Sequence, residues 1–234
     1  MLIESYRKIR RADKKSKGIC DIHVIHVKIN DVNARAKEMV RIISDTSWIK
    51  RLDSIGKATF KARAEKTIVR LVNEVIAKVE DTVTSEFGEY MISDTAQCVL
   101  AKKCGHKKVP LAELLKEKVV GNMGFDFHGE TTGQLIAFGE SKFSGSDNPY
   151  TEASVQILEF IDEKKDLAEL LILRAFVSRK SLKNIVNDKK AFAAAFSMNS
   201  TNPTLIFENA LRSDSIKQLF RYPELYLIGV EVND

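Results

Sequence analysis

Apolar and polar positions follow periods that change from one stretch of the chain to the next. Residues 21–30 (DIHVIHVKIN) are dense in Ile and Val and predict a strand. Asp31 follows as a helix cap, and the pattern predicts a helix to about residue 44. A weakly patterned segment holds Trp48 and Gly56. Over 58–80, Phe60, Ala64, Ile68, Leu71, Val75 and Val79 recur at helical spacing. Thr84 caps the next predicted helix, which runs to about residue 101 with Phe87, Met91, Thr95 and Cys98 on its inner stripe. Lys102, Lys103 and Gly105 end it. Residues 124–143 (GFDFHGETTGQLIAFGESKF) read as two short strands around a turn at Thr131, Thr132 and Gly133.

Beyond the hairpin, 144–149 is a loop and 150–164 a helix. An apolar helix from 166 places Leu167, Leu170, Leu171, Leu173, Ala175 and Phe176 in the core. A shorter helix is predicted over 188–196, and a buried strand over 225–232 beside the hairpin. This order predicts an α/β (α+β) fold, a mixed central sheet flanked by helices. A soft boundary near 80–84 divides the 234 residues into an N-terminal α/β segment, 1–83, and a larger domain, 84–234.

The hairpin concentrates the chemistry. Residue numbers in paired antiparallel strands sum to a constant, so a turn near Gly133 sets Asp126 opposite Glu140. Opposed residues share a face, as do residues two apart on one strand, so Lys142 joins them. Two carboxylates and an ammonium on an apolar hairpin are costly unless they meet each other or a cation. A Mg²⁺ ion with an activated water meets that need, and an exposed ion pair at a hairpin edge is the plainer alternative. Gly124 and Gly139 stand just before the key residues, where other groups approach closely. His128, two residues from Asp126 and near the position paired with Phe138, either lines the cleft or is a polar residue at a strand end. On the helix after Thr84, Glu86, Glu89, Ser93 and Gln97 lie near one another on one face.

Asp126 followed by Glu140-Ser141-Lys142 resembles the signature of the PD-(D/E)xK, or restriction-endonuclease-like, nuclease superfamily. Phe125 stands where the strict motif has proline. With FGEYMISDTAQ at 87–97, GFDFHG at 124–129 and AFGESKF at 137–143, residues 84–234 resemble most the HamA family, nuclease-like subunits of the Hachiman anti-phage defence system. The resemblance implies a restriction-endonuclease-like core and Mg²⁺-dependent hydrolysis of DNA, with Mn²⁺ a substitute. It implies metal ligation by Asp126 and Glu140, a catalytic Lys142, and an acidic helix residue mapped to Glu89, with Glu86 the alternative. It also implies a supporting Gln156 and a superfamily-2 helicase partner. A stand-alone restriction endonuclease and a non-catalytic DNA-binding or docking subunit are the rival readings.

Net charge is +5. The first seventeen residues carry Arg7, Lys8, Arg10, Arg11, Lys14, Lys15 and Lys17 against Glu4 and Asp13, an excess of five that equals the whole net charge. Such a segment fits phosphate contacts, or else a solvated basic tail. No apolar core follows it, so it does not read as a secretory signal. Cys20, Cys98 and Cys104, an odd number without close pairing, suggest a reduced, cytoplasmic protein. No run of eighteen apolar residues predicts a membrane span. His23 and His26 would face opposite ways on a strand, and Cys98, Cys104 and His106 lack zinc-site spacing, so no structural zinc is expected. Neither a GxxxxGK[ST] phosphate loop nor a G-x-S-x-G elbow occurs.

Overall fold

The computed structural model describes residues 1–12, 18–76, 83–116 and 124–233. The elements run in chain order as follows. Strands β1 (Leu2–Ala12) and β2 (Ile19–Ile29) precede helix α1 (Val32–Ser44), a 3-10 turn (Ser47–Arg51), and α2 (Ser54–Arg70), which continues into a π-helical segment (Leu71–Val75). Then come α3 (Ser85–Cys104), β3 (Lys107–Lys108), α4 (Ala112–Leu115), and the hairpin β4 (Phe127–Glu130) and β5 (Ile136–Lys142). Helices α5 (Tyr150–Asp162), α6 (Lys165–Ala168), α7 (Leu170–Leu173) and α8 (Arg179–Val186) lead to β6 (Ala191–Ser197). Helices α9 (Pro203–Arg212) and α10 (Asp214–Leu219) precede the last strand, β7 (Glu224–Val232).

The seven strands form one mixed sheet in the order β1-β2-β7-β6-β5-β4-β3. Its middle, β2-β7-β6-β5, is parallel, and both flanks are antiparallel. A parallel centre needs cover on both faces. On one face Phe138, Phe192 and Phe196 pack with Ile157 and Phe160 of α5, Phe207 of α9 and Ile216 of α10. On the other, Ile25, Ala193, Tyr226 and Ile228 pack with Met39 of α1 and with Phe87 and Met91 of α3. Strands from both sides of the expected 83/84 boundary share this sheet, since β2 pairs with β7 from Asp21↔Glu224 to Ile29↔Val232.

Local signals explain many of the boundaries. Asp31 caps α1 through its bond from the Ala34 amide, and Thr84 caps α3 through the Phe87 amide. Gly105, in the left-handed region at φ 71, closes α3. Helix α2 starts earlier than residue 58 because Asp53 accepts from the Gly56 amide and caps it there. Residues 77–80 of the expected helix lie outside the described residues.

Four expectations are corrected. Residues 2–12 are not a tail but an edge strand, whose half-buried Ile3, Tyr6 and Ile9 lie on the sheet between exposed charges. Residues 191–197 form the central strand β6 rather than a helix. Alanine favours helices, but Ala191, Ala193 and Ala195 here leave room for α3 on one face while Phe192 and Phe196 fill the other core. Strand β7 therefore does not lie beside the hairpin, because β6 intervenes. The apolar stretch after 166 is two short helices: Leu173 lies in the core and Leu170 and Phe176 pack against it as expected, but Leu167, Leu171 and Ala175 are exposed while Asp166 and Glu169 are buried. Buried cations hold them there: Lys190 Nζ lies 2.5 Å from Asp166, and Lys116 pairs with Glu169.

Candidate active site

Asp126 sits one residue before β4. Its amide donates to the Gly139 carbonyl at 2.9 Å, one residue out of step with the Phe127↔Gly139 register, so the strand bulges there: Phe125 and Phe127 pack into opposite cores, and the expected pairing of Asp126 with Glu140 is displaced. The Asp126 carboxylate is held by its neighbour on β5: Oδ2 accepts from the Ser141 amide at 2.9 Å and from the Ser141 hydroxyl at 2.8 Å. Ser141 also meets the Ser93 hydroxyl of α3 at 2.7 Å. Glu140 is 2% exposed, and its Oε1 accepts from Lys142 Nζ at 2.8 Å. Its other oxygen, Oε2, is buried and has no hydrogen-bond partner. Lys142 Nζ is also 4.0 Å from Oε1 of Glu89 on α3.

These charges perturb one another. Burial and the Asp126 carboxylate push the Glu140 carboxyl well above its usual range, and Lys142 only partly offsets them. Burial likewise raises Asp126, against the Ser141 hydrogen bonds and the Lys142 charge. Burial alone would lower Lys142, yet the Glu140, Asp126 and Glu89 carboxylates raise it above an ordinary lysine. Three carboxyl groups, Glu140, Asp126 and Glu89, thus surround one ammonium, an arrangement that attracts a proton or a cation.

Of the two helix glutamates, Glu89 is the one that faces Lys142. Glu86 accepts from Arg70 Nη1 at 2.8 Å, and the same guanidinium donates to the Tyr90 hydroxyl at 2.9 Å. Gln97 points into the hairpin, where its amide donates to the Val109 and His128 carbonyls at 2.8 and 2.9 Å. Gln156 is half-buried on α5, and no hydrogen bond ties it to the acidic residues.

His128 does not line the cleft. It is 1% exposed, packs edge-on to Phe125 and Phe138, and its Nε2 lies 2.5 Å from Oε2 of Glu169. Glu169 also takes the Lys116 ammonium and the Phe125 amide. Burial acts to raise the Glu169 carboxyl, but His128 and Lys116 bring it below the usual range. This buried cluster fixes the strand end just before Asp126. A Cβ on Gly124 would stand 2.2 Å from Glu169 Oε1, so the contact requires glycine there. The sequence carried no separate signal for Glu169, which lies in an apolar run that reads as plain core.

The basic N-terminal residues are dispersed. Lys8 and Arg10 bind Asp21 at 2.8 and 3.0 Å, the Arg11 guanidinium lies 5.5 Å from the Phe220 ring centre, and Arg7 is exposed. Lys14, Lys15 and Lys17 lie outside the described residues. Strand β1 stands four strand spacings from β5, about 19 Å at about 4.8 Å per step. Cys104 Sγ lies 3.8 Å from His23 Nδ1. His23 meets the Tyr6 hydroxyl, His26 meets Glu231, and Cys98 takes Lys108 Nζ at 2.9 Å. Among the described residues, no three His, Cys, Asp or Glu side chains form a metal-holding group, and no helix is long and apolar enough to cross a membrane.

The donor chemistry nevertheless fits a hard divalent cation. Mg²⁺ is usually held by one or two carboxylates, with water and substrate phosphate completing its shell. Asp126 and Glu140 supply that pair, and the unpartnered Glu140 Oε2 is an acceptor free to bind it. No family model matches the chain, and no curated protein matches it.

Proposed function

We propose that the protein is a metal-dependent DNA nuclease with a restriction-endonuclease-like core. The observation that carries the reading is the meeting of Asp126, Glu140 and Lys142 at one end of the hairpin, with a buried carboxylate oxygen left without a partner. The buried Arg35–Asp94 pair also leaves an oxygen unsatisfied, Asp94 Oδ1, but the unsatisfied Glu140 acceptor stands beside a second carboxylate, Asp126, whose charge opposes its own.

Asp126 and Glu140 would hold the ion, which supplies Lewis acidity and an activated water when bound. Lys142, already beside Glu140, places a positive charge where the phosphate accumulates negative charge. Glu89 extends the acidic wall from α3. Ser141 fixes the Asp126 carboxylate so that it need not reorganise. The motif resemblance adds a superfamily-2 helicase as partner and anti-phage defence as the setting.

Plasmid nicking with added Mg²⁺, with and without the helicase, tests the reading. Wild type should cut, while Glu140→Ala and Lys142→Ala should not, each variant being checked for folding by thermal melting. Full cleavage by both variants refutes the assignment.

A further inference from the structure

A cavity of 490 Å³ opens beside the acidic residues, where the ends of β5, β6 and β7 meet the start of α3. Val83, Phe143 and Val232 line it together with Ser85, Ser144 and Asn199, and among the described residues no acidic one does. Phe143 directly follows Lys142, and Ser85 lies one helical turn before Glu89. The cavity therefore shares its border with the proposed reaction centre.

Its walls are set in advance. The Phe143 ring rests on Gly88, where an added Cβ would stand 2.2 Å from it, so the glycine makes room for the ring. The rim is pinned by Asn199, whose Nδ2 donates to the Ser144 and Asp147 carbonyls at 2.9 Å each, and whose amide donates to Asn148 Oδ1 at 2.9 Å. The Ser144 amide donates to Ser197 Oγ at 2.8 Å. The size falls within the roughly 300–1,000 Å³ of small-ligand sites. An aromatic ring in a wall whose Asn199 amide and Ser144 and Ser197 hydroxyls are already bonded to nearby backbone groups suits a flat group held by stacking.

We propose that this cavity is a base-binding subsite, in which Phe143 stacks on the nucleobase next to the scissile phosphate. The proposal rests on the nuclease reading and names its substrate class. A base reaches such a cavity only when it is out of the duplex stack, so the strand engaged is single-stranded or frayed at that point. Stacking on an aromatic side chain tolerates any base, so the subsite adds affinity without sequence preference.

The test measures binding apart from cleavage. Full-length protein is titrated, in chelator and at low salt, into a single-stranded oligonucleotide carrying 2-aminopurine, whose fluorescence falls on stacking. Wild type should quench it. Phe143→Leu should bind about 5- to 150-fold more weakly, the range expected for one lost base–aromatic stack. Gly145→Leu is the second variant. Gly145 lines the cavity and a Cβ there meets nothing within 4 Å, so added bulk obstructs the space without straining the fold. It should likewise weaken quenching, and it decides the matter if Phe143→Leu fails to fold.

Wild-type quenching and affinity in both variants overturn the subsite. So does equal quenching of a blunt duplex, and displacement of the oligonucleotide by equimolar deoxynucleoside monophosphate overturns a strand as the source of the base. Because no metal is present, the two readings fail separately. A strand that is quenched but never cut with Mg²⁺ refutes the nuclease while supporting the subsite. Cutting without quenching refutes the subsite alone.

Discussion

Lys142→Met tests whether the site is a store of uncompensated negative charge. Methionine keeps much of the side chain's length and apolar stem and removes only the cation. The ion pair to Glu140 spans 2.8 Å. At an effective dielectric near 20, a pair at that distance is attracted by about 6 kcal/mol before desolvation is subtracted. Glu140 is 2% exposed by side chain, whereas Lys142 keeps 20%, so solvent already screens the lysine in part. Removing one partner of a buried pair costs about 3–5 kcal/mol, and the partial exposure of Lys142 puts the expected loss near the lower end, about 3 kcal/mol. For a chain of this length that corresponds to a fall in Tm of roughly 6–12 °C.

The pH dependence separates this cause from lost packing. The Glu140 carboxyl is raised by burial and by Asp126, and removing Lys142 raises it further. Between the unfolded and folded values the native protein binds the extra proton, so stability falls as pH rises through that window. The deficit of the variant should therefore grow with pH, because Lys142 favours the ionised Glu140 and its absence leaves that charge unpaired. The double variant Glu140→Leu/Lys142→Met, which removes both charges, should recover most of the loss. Urea unfolding from pH 6 to 8 measures all of this. A Lys142→Met protein as stable as wild type at pH 8, or a deficit that does not change with pH, would refute the charge argument.

Two further outcomes follow from the same geometry. Glu89→Gln should raise the Mg²⁺ concentration for half-maximal cleavage, whereas Glu86→Gln, at a side chain turned to Arg70, should leave it unchanged; a Mg²⁺ titration of both variants decides it. His106 is buried with neither ring nitrogen bonded, and burial followed by the His23 charge lowers it to about 4. The neutral form is the folded form, so stability should be full above pH 6.5 and fall by up to about 3 kcal/mol as pH drops toward 4, a slope that His106→Phe should flatten in urea titrations.

How much of this the sequence disclosed depended on whether local chemistry or distant packing decided each position. The pairing of His128 with Phe138 was legible because the strand period is two and the turn is marked, whereas the slip of register at Asp126 was not, since it shows only in the bond from the Asp126 amide to Gly139. The caps of α1 and α3 were legible because Asp31 and Thr84 act on amides three residues away. Strand β6 was not, since alanine's own preference is helical and only the neighbours on each side make Ala191–Ser197 a strand. Strand β1 was hidden by its charges, which are what an exposed sheet edge carries. Glu169 was hidden by the leucines around it. An inward carboxylate makes sense only once His128 and Lys116, from other parts of the chain, are placed against it.

The position of Ser141 yields the last test. Its hydroxyl bridges two elements, reaching Asp126 Oδ2 at 2.8 Å and Ser93 of α3 at 2.7 Å, so it ties the carboxylate to the helix that carries Glu89. Ser141→Ala removes that hydrogen bond but keeps the amide bond to the same oxygen at 2.9 Å. The side chain is fully buried, so loss of a hydrogen bond to a charged acceptor should cost about 1.5–3 kcal/mol. The bond stabilises the ionised form of a carboxyl that burial already raises, so its loss raises Asp126 further. A cation needs the ionised form. The acidic limb of the cleavage profile should therefore move to higher pH, and the upward shift of Tm on adding Mg²⁺ should shrink at pH 6 more than at pH 8. If the acidic limb and the Mg²⁺-dependent melting shift both match wild type, Ser141 is only a packing residue, and the Asp126 carboxylate is positioned by the backbone alone.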